Sequence, residues 1–286
     1  MKHGFLLIDK PEGPTSHDIV GMVRKALNEK KVGHLGTLDP AASGLMVLAV
    51  GAKALKVVEL FNVLPKTYEA TVQFGAISST FDREGKIEEV KIKPGVEPPD
   101  LIGLRTIIEN RFLGVIDQVP PDYSAIKIGG ERAYRKMRQG RVVNMPTREV
   151  NIKECKIISY EYPQAVLHVA CGSGTYIRSL ANDLGDAIRC GGYLAGLRRT
   201  TVGDWKIEDA VAPKKATWGH ILPLKDLLVG RNKIEVSDSE AEDIVHGRPI
   251  KHQVLPDTIA WNNDLPIAIL TPLKDGSNCC KGRKVF

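Results

Sequence analysis

Hydrophobic spacing divides the chain into elements. Phe5 to Ile8 is an apolar run of strand length, stopped by Lys10-Pro11-Glu12-Gly13-Pro14. Behind a Thr15 or Ser16 cap, Ile19, Val20, Val23, Ala26 and Leu27 recur at helical spacing, predicting an amphipathic helix to about residue 29. Leu45 to Val50 reads as a buried strand, followed by a short helix near Ala52 to Phe61. From Lys66 to Gly75 the pattern alternates, with Tyr68, Ala70, Val72 and Phe74 on one face and Thr67, Glu69, Thr71 and Gln73 on the other. Gly75 to Gly85 is a polar loop between strands, and Val90 to Pro99 is loop-like. Asp100 caps a helix whose apolar set is Leu101, Leu104, Ile107, Ile108 and Phe112. Strands follow at Val150 to Tyr160 and Ala165 to Cys171. A helix opens near Gly174 and runs to about Cys190, and another strand covers Leu194 to Gly203. After Gly230, a capping box at Ser237 to Glu240 and strand-like pieces at Ile259–Trp261 and Pro266–Leu270 predict a small β-rich appendage. The expected division is 1–230 for the main domain and 231–286 for the appendage.

One stretch does not fit this alternation. Gly33-His34-Leu35-Gly36-Thr37-Leu38-Asp39-Pro40-Ala41-Ala42-Ser43-Gly44-Leu45-Met46 carries three glycines, one proline and a single carboxylate. Pro40 fixes its own φ and biases Asp39 away from helical geometry, while Gly36 and Gly44 permit tight turns. Asp39 thus sits on a stiff loop entering a buried strand. On residue types alone it reads first as an Asx-turn former and second as a catalytic carboxylate. Tyr68 at the start of its strand likewise reads first as a core residue, although its hydroxyl could reach a cleft.

Composition narrows the class. At 286 residues, 43% hydrophobic and 26% charged, the chain fits one large globular domain with a small addition, and disorder is not expected. No apolar run reaches the roughly 18 residues needed to span a bilayer, and no signal peptide is visible, so a cytoplasmic protein is expected. Five cysteines without a C-x-x-C pair suggest reduced thiols and no zinc site. The net charge of +6 is compatible with a polyanionic partner. The segment 120–148 concentrates that charge, with Lys127, Arg132, Arg135, Lys136, Arg138, Arg141 and Arg148 interleaved with Tyr123 and Tyr134. Cations for phosphates beside rings for unpaired bases suit a nucleic-acid face, and a solvated basic helix is the competing reading. Arg178 falls in the first turn of its helix, where the dipole disfavours a cation, so a nearby anion is expected.

Taken together, these blocks carry a resemblance. Gly33-His34 through Gly44-Leu45 is similar to the catalytic-aspartate motif of the TruB family of tRNA pseudouridine synthases. Leu7-Ile8-Asp9-Lys10-Pro11, Lys66-Thr67-Tyr68, Gly75 to Gly85, Pro120 to Lys127 with Gly140-Arg141, Gly174-Thr175-Tyr176-Ile177-Arg178 and Leu197-Arg198-Arg199 agree in order. The resemblance spans roughly residues 4 to 228. The last segment is only loosely similar to a PUA-like RNA-binding module.

The resemblance implies a mixed α/β fold with a central, largely antiparallel sheet and an RNA-binding cleft. It implies isomerisation of the uridine commonly numbered 55 in the T-loop (TΨC arm) of tRNA, by base flipping and an aspartate acting at the ribose. Asp39, Tyr68 and Arg178 would be catalytic. His34, Tyr176 and Leu197 would hold the substrate, and Tyr123, Lys127, Arg132, Tyr134 and Arg141 would contact RNA. No cofactor, metal or obligate protein partner is implied, and a monomer is expected. The alternatives are a guide-RNA-dependent synthase of a ribonucleoprotein, or a tRNA-folding chaperone.

Overall fold

The computed structural model describes residues 3–124, 126–139, 144–273, 275 and 277–286, with the side chains of residues 127, 132, 134 and 138 outside that description. Its centre is a 10-stranded sheet. The path runs Leu222–Pro223, Gly4–Lys10, Ala42–Val50, Gly192–Val202, Lys66–Phe74, Gln164–Cys171, Arg148–Glu161 and Gly114–Gln118. Val32–His34 and Trp205–Lys206 pair off this path.

Every pairing in this sheet is antiparallel except one. Ala42–Gly44 runs parallel to Leu197–Arg199, and this junction joins the N-terminal strands to the rest of the sheet. Gly44 makes it possible: its φ is +104°, and a Cβ there would lie 2.3 Å from the Arg199 carbonyl oxygen. Only glycine tolerates both the backbone conformation and the approach. The junction also corrects the expected strand boundary. Ala42-Ser43-Gly44 has little apolar signal, yet the strand begins at Ala42 because pairing with distant residues captures it.

Helices cover the sheet where their apolar stripes require. Ser16–Leu27 starts at a Thr15 capping box: the Asp18 N–H donates to Thr15 Oγ1 at 3.1 Å, and the Thr15 N–H donates to Asp18 Oδ2 at 2.9 Å. It buries Ile19, Val20, Val23 and Leu27 against Leu6, Ile8, Met46 and Leu48. Leu101–Arg111 starts where the Gly103 N–H donates to Asp100 Oδ1 at 2.8 Å. With Ile177–Ala187 it packs on Ala70, Val72, Leu167 and Val169.

The C-terminal residues form a second, 4-stranded sheet: Lys233–Glu235, Thr258–Asn262, Leu265–Pro272 and Cys280–Val285. Ile259, Trp261 and Ile269 share one apolar cluster with Phe5, Phe61 and Leu228. Arg283 and Lys284 both pair with Glu59 across this contact. No helix among the described residues is long and apolar enough to cross a membrane.

Candidate active site

Three side chains and one backbone N–H from outside the Gly36–Leu45 loop capture its carbonyls. Lys10, fully buried, donates from Nζ to the carbonyls of Ala42 at 2.6 Å and Pro40 at 3.3 Å. Ser16 Oγ donates to the Leu38 carbonyl at 2.7 Å and accepts from the Leu38 N–H at 2.9 Å. Arg199, 2% exposed, donates to the carbonyls of Leu45 at 2.6 Å, Gly36 at 3.2 Å and Thr37 at 3.4 Å. The Gly13 N–H reaches the Pro40 carbonyl at 2.9 Å. Hydrogen bonds from charged donors contribute about 1.5–3 kcal/mol each, so the loop is fixed without any substrate. Burial pushes the Lys10 ammonium pKa down, and nearby Asp39 partly opposes this.

Fixing the loop fixes Asp39. Arg178, in the first turn of Ile177–Ala187, lies 3.1 Å from Asp39 Oδ2 through Nε and 3.5 Å from Asp82 Oδ2 through Nη1. Its guanidinium also donates to the carbonyls of Thr80 at 3.2 Å and Tyr123 at 3.0 Å. Two carboxylates outweigh the unfavourable helix dipole at this position. The helix can lie close because Gly185 packs directly on the Gly191-Gly192 backbone, with 2.0 Å from an added Cβ to the Gly192 nitrogen.

These groups open on a cavity of about 680 Å³. Asp39, Tyr68, Tyr123, Tyr176, Arg178 and Leu197 line it together with Asp82, Glu84, Lys66 and Arg199. Tyr68 is 7% exposed; burial pushes its phenol pKa up, partly offset by Arg199, so it is neutral at physiological pH. Burial raises Tyr176 as well, with Ser124 opposing. Glu84 is raised by burial and then by the neighbouring Asp82 and Asp39 charges.

The remaining sequence candidates fall elsewhere. His34 stands on Val32–His34, where its Nδ1 accepts the Gly36 N–H at 3.4 Å, and it is not among the cavity-lining residues. Lys127 and Arg132 lie on a two-stranded ribbon and Tyr134 on the helix Ala133–Arg138, with side chains outside the description. Arg141 lies outside the described residues. The sequence reading missed Asp82, Lys10 and Arg199 as site residues. The usable signal for Asp82 was its polar loop, Thr80-Phe81-Asp82-Arg83-Glu84-Gly85, with more hydrogen-bonding groups than a connection needs. Among the described residues no cluster of His, Cys, Asp and Glu has metal-binding geometry.

Two carboxylates share one arginine beside an open cavity lined by tyrosines and a leucine, on a mixed sheet, which makes this cavity the candidate active site. Residues 24–177 match the profile of the TruB family pseudouridylate synthase N-terminal domain. The tRNA pseudouridine synthase B of Thermobifida fusca is 38% identical over 261 residues, covering 87% of this chain and 87% of that protein. Its counterpart in Synechococcus is 38% identical over 281 residues, covering 94% and 89%. The chain belongs to the TruB family of pseudouridylate synthases. Its fold also matches the archaeal box H/ACA sRNP Nop10-Cbf5 complex, with a TM-score of 0.70 at 21% identity over 99% of this chain and 86% of that one. A further match is an H/ACA RNP bound to a substrate RNA containing 2′-deoxyuridine, with a TM-score of 0.69 at 21% identity, covering 99% and 84%.

Proposed function

We propose that the protein isomerises uridine to pseudouridine in the T-loop of tRNA, with Asp39 acting at the ribose. The reaction breaks the N1–C1′ bond, turns the uracil, joins C5 to C1′ and moves the C5 proton to solvent. It is redox-neutral and consumes no energy donor. The carrying observation is the Asp39–Arg178 pair at 3.1 Å on a loop held by four groups, beside a cavity of about 680 Å³.

Whether the carboxylate attacks C1′ or removes the C2′ proton, it acts in its ionised form, and the adjacent guanidinium orients it. The target nucleotide leaves its stack to reach the cavity, at a cost of a few kcal/mol. Tyr68 and Leu197 offer faces for the base, and the neutral Tyr68 hydroxyl relays the C5 proton. Tyr176 closes the pocket on the side of Tyr123, while His34 meets the RNA outside it. The basic segment 120–148, with Lys127, Arg132, Tyr134 and Arg141, offsets the flipping cost through phosphate and stacking contacts. The appendage 231–286 extends the RNA surface as a PUA-like module.

The relatives named tRNA pseudouridine synthase B support tRNA as the substrate, and the protein is read as a stand-alone cytoplasmic monomer. Release of tritium from uracil C5 in a naked T-arm stem-loop tests this reading. Turnover without guide RNA or protein partner is expected, and none at any enzyme concentration would overturn it.

A further inference from the structure

The charges around the cavity are segregated. Asp39, Asp82 and Glu84 gather around Arg178, whereas Lys66 and Arg199 stand together near Gly36. Both cations lie against Gly36: a Cβ there would be 3.5 Å from Arg199 Nη1 and 3.8 Å from Lys66 Cε. Lys66 is 8% exposed, and its Nζ donates to the Leu64 carbonyl at 2.7 Å. Neither Lys66 nor Arg199 has a carboxylate partner among the described residues. The three hydrogen bonds of Arg199 to carbonyls engage three of its five N–H donors and bring no opposite charge to it. Two buried like charges repel, and burial followed by Arg199 holds the Lys66 pKa below its ordinary value.

Such an arrangement is costly in the empty protein and is relieved by one bound anion. The cavity supplies the position. Gly36 and Asp39 are three residues apart on a fixed loop, a span of at most about 11 Å, which is the scale of one nucleotide. On that scale a phosphodiester flanking a nucleotide whose C1′ lies at Asp39 can reach the Lys66 end of the cavity.

We propose that Lys66, backed by Arg199, is a phosphate subsite that takes the phosphodiester flanking the flipped nucleotide. The assignment rests on the reading of RNA as substrate. It makes the cavity an oriented socket, with sugar at the carboxylate end and backbone at the cation end. Lysine acts here as a point charge, so arginine substitutes for it in charge but not in shape.

The test is binding of a T-arm stem-loop to wild type, Lys66→Gln and Lys66→Arg over a salt series. For Lys66→Gln, the slope of log Kd against log salt is expected to fall in magnitude by about 0.7–0.9, the contribution of one phosphate contact, while Lys66→Arg retains it. A stem-loop with a neutral methylphosphonate at either linkage flanking the target uridine should bind wild type about tenfold more weakly at one of them. Lys66→Gln should lose nothing further there. An unchanged salt slope in a folded Lys66→Gln, or an equal methylphosphonate penalty in both proteins, overturns the subsite. Should Lys66→Gln not fold, wild type alone decides, because no penalty at either linkage refutes the assignment. Binding without turnover by wild type would instead fail the catalytic reading and leave the salt slope readable.

Discussion

Asp39 and Asp82 meet the same guanidinium from two different loops, and their surroundings differ. Asp82 is buried, its side chain 8% exposed, and its Oδ1 accepts the Thr80 hydroxyl and the Glu84 N–H at 3.0 Å. The Asp39 side chain is 42% exposed, and Arg178 is its ion-pair partner among the described residues. One carboxylate is satisfied by its own loop; the other keeps an oxygen for the cavity. The difference teaches how a shared arginine serves two purposes. Through Asp82 it is anchored in the Gly75–Gly85 loop, and through Asp39 it holds a carboxylate at the cavity. On the proposed reading, what the protein leaves unsatisfied, not proximity to Arg178, separates the reacting carboxylate from the positioning one.

The largest expected effect that bears on this contrast is on Asp39. Asp39→Asn should lower pseudouridine formation by about 10³-fold or more, the scale of losing a positioned reacting group, while tRNA binding is retained. Tritium release and filter binding on one stem-loop read both. Arg178→Met should come next. It leaves Asp82 buried and unpaired, which costs about 3–5 kcal/mol of stability, visible as a shifted denaturation midpoint, together with a loss of turnover. Asp82→Asn should have a smaller effect, destabilising by about 1–3 kcal/mol through its altered hydrogen bonds and slowing turnover less than Asp39→Asn does. A denaturant melt at constant m-value separates the two contributions.

The smallest effect concerns an aspartate without a cation. Burial pushes Asp183 from 3.8 up to about 6, with Asn182 opposing and Asp186 adding to the rise. Between these values the folded protein binds the proton that the unfolded chain has released, so stability falls as pH rises from about 3.8 to about 6. Asp183→Asn removes that penalty. Its Tm should exceed wild type by a few degrees at pH 7 and converge with it near pH 4. A difference that grows on acidification would contradict the sign.

Local signals were legible where the physics is local. The Thr15 and Asp100 caps, the alternation of Lys66–Phe74 and the turn residues around Asp39 depend on near neighbours, and their elements appear where the pattern puts them. The sheet class and the family were legible through the ordered motif blocks. The supports of the site were not. Lys10 reads only as the start of the segment that stops the first strand, yet register Lys10↔Gly44 brings its ammonium onto the Ala42 carbonyl. Asp82 becomes a site residue only because the helix Ile177–Ala187 carries Arg178 to it. The edge strand Gly114–Gln118, with Val115 exposed, lacks the buried face that alternation detects. Each depends on pairing between distant segments, which periodicity does not encode.

The central claim is that Asp39 reacts and Asp82 positions. Single-turnover pseudouridine formation with enzyme in excess over a T-arm stem-loop, run side by side for Asp39→Asn and Asp82→Asn, tests it most directly because binding no longer limits the rate. The expected result is no product above background with Asp39→Asn and a slowed but measurable rate with Asp82→Asn. A faster rate from Asp39→Asn than from Asp82→Asn would contradict it.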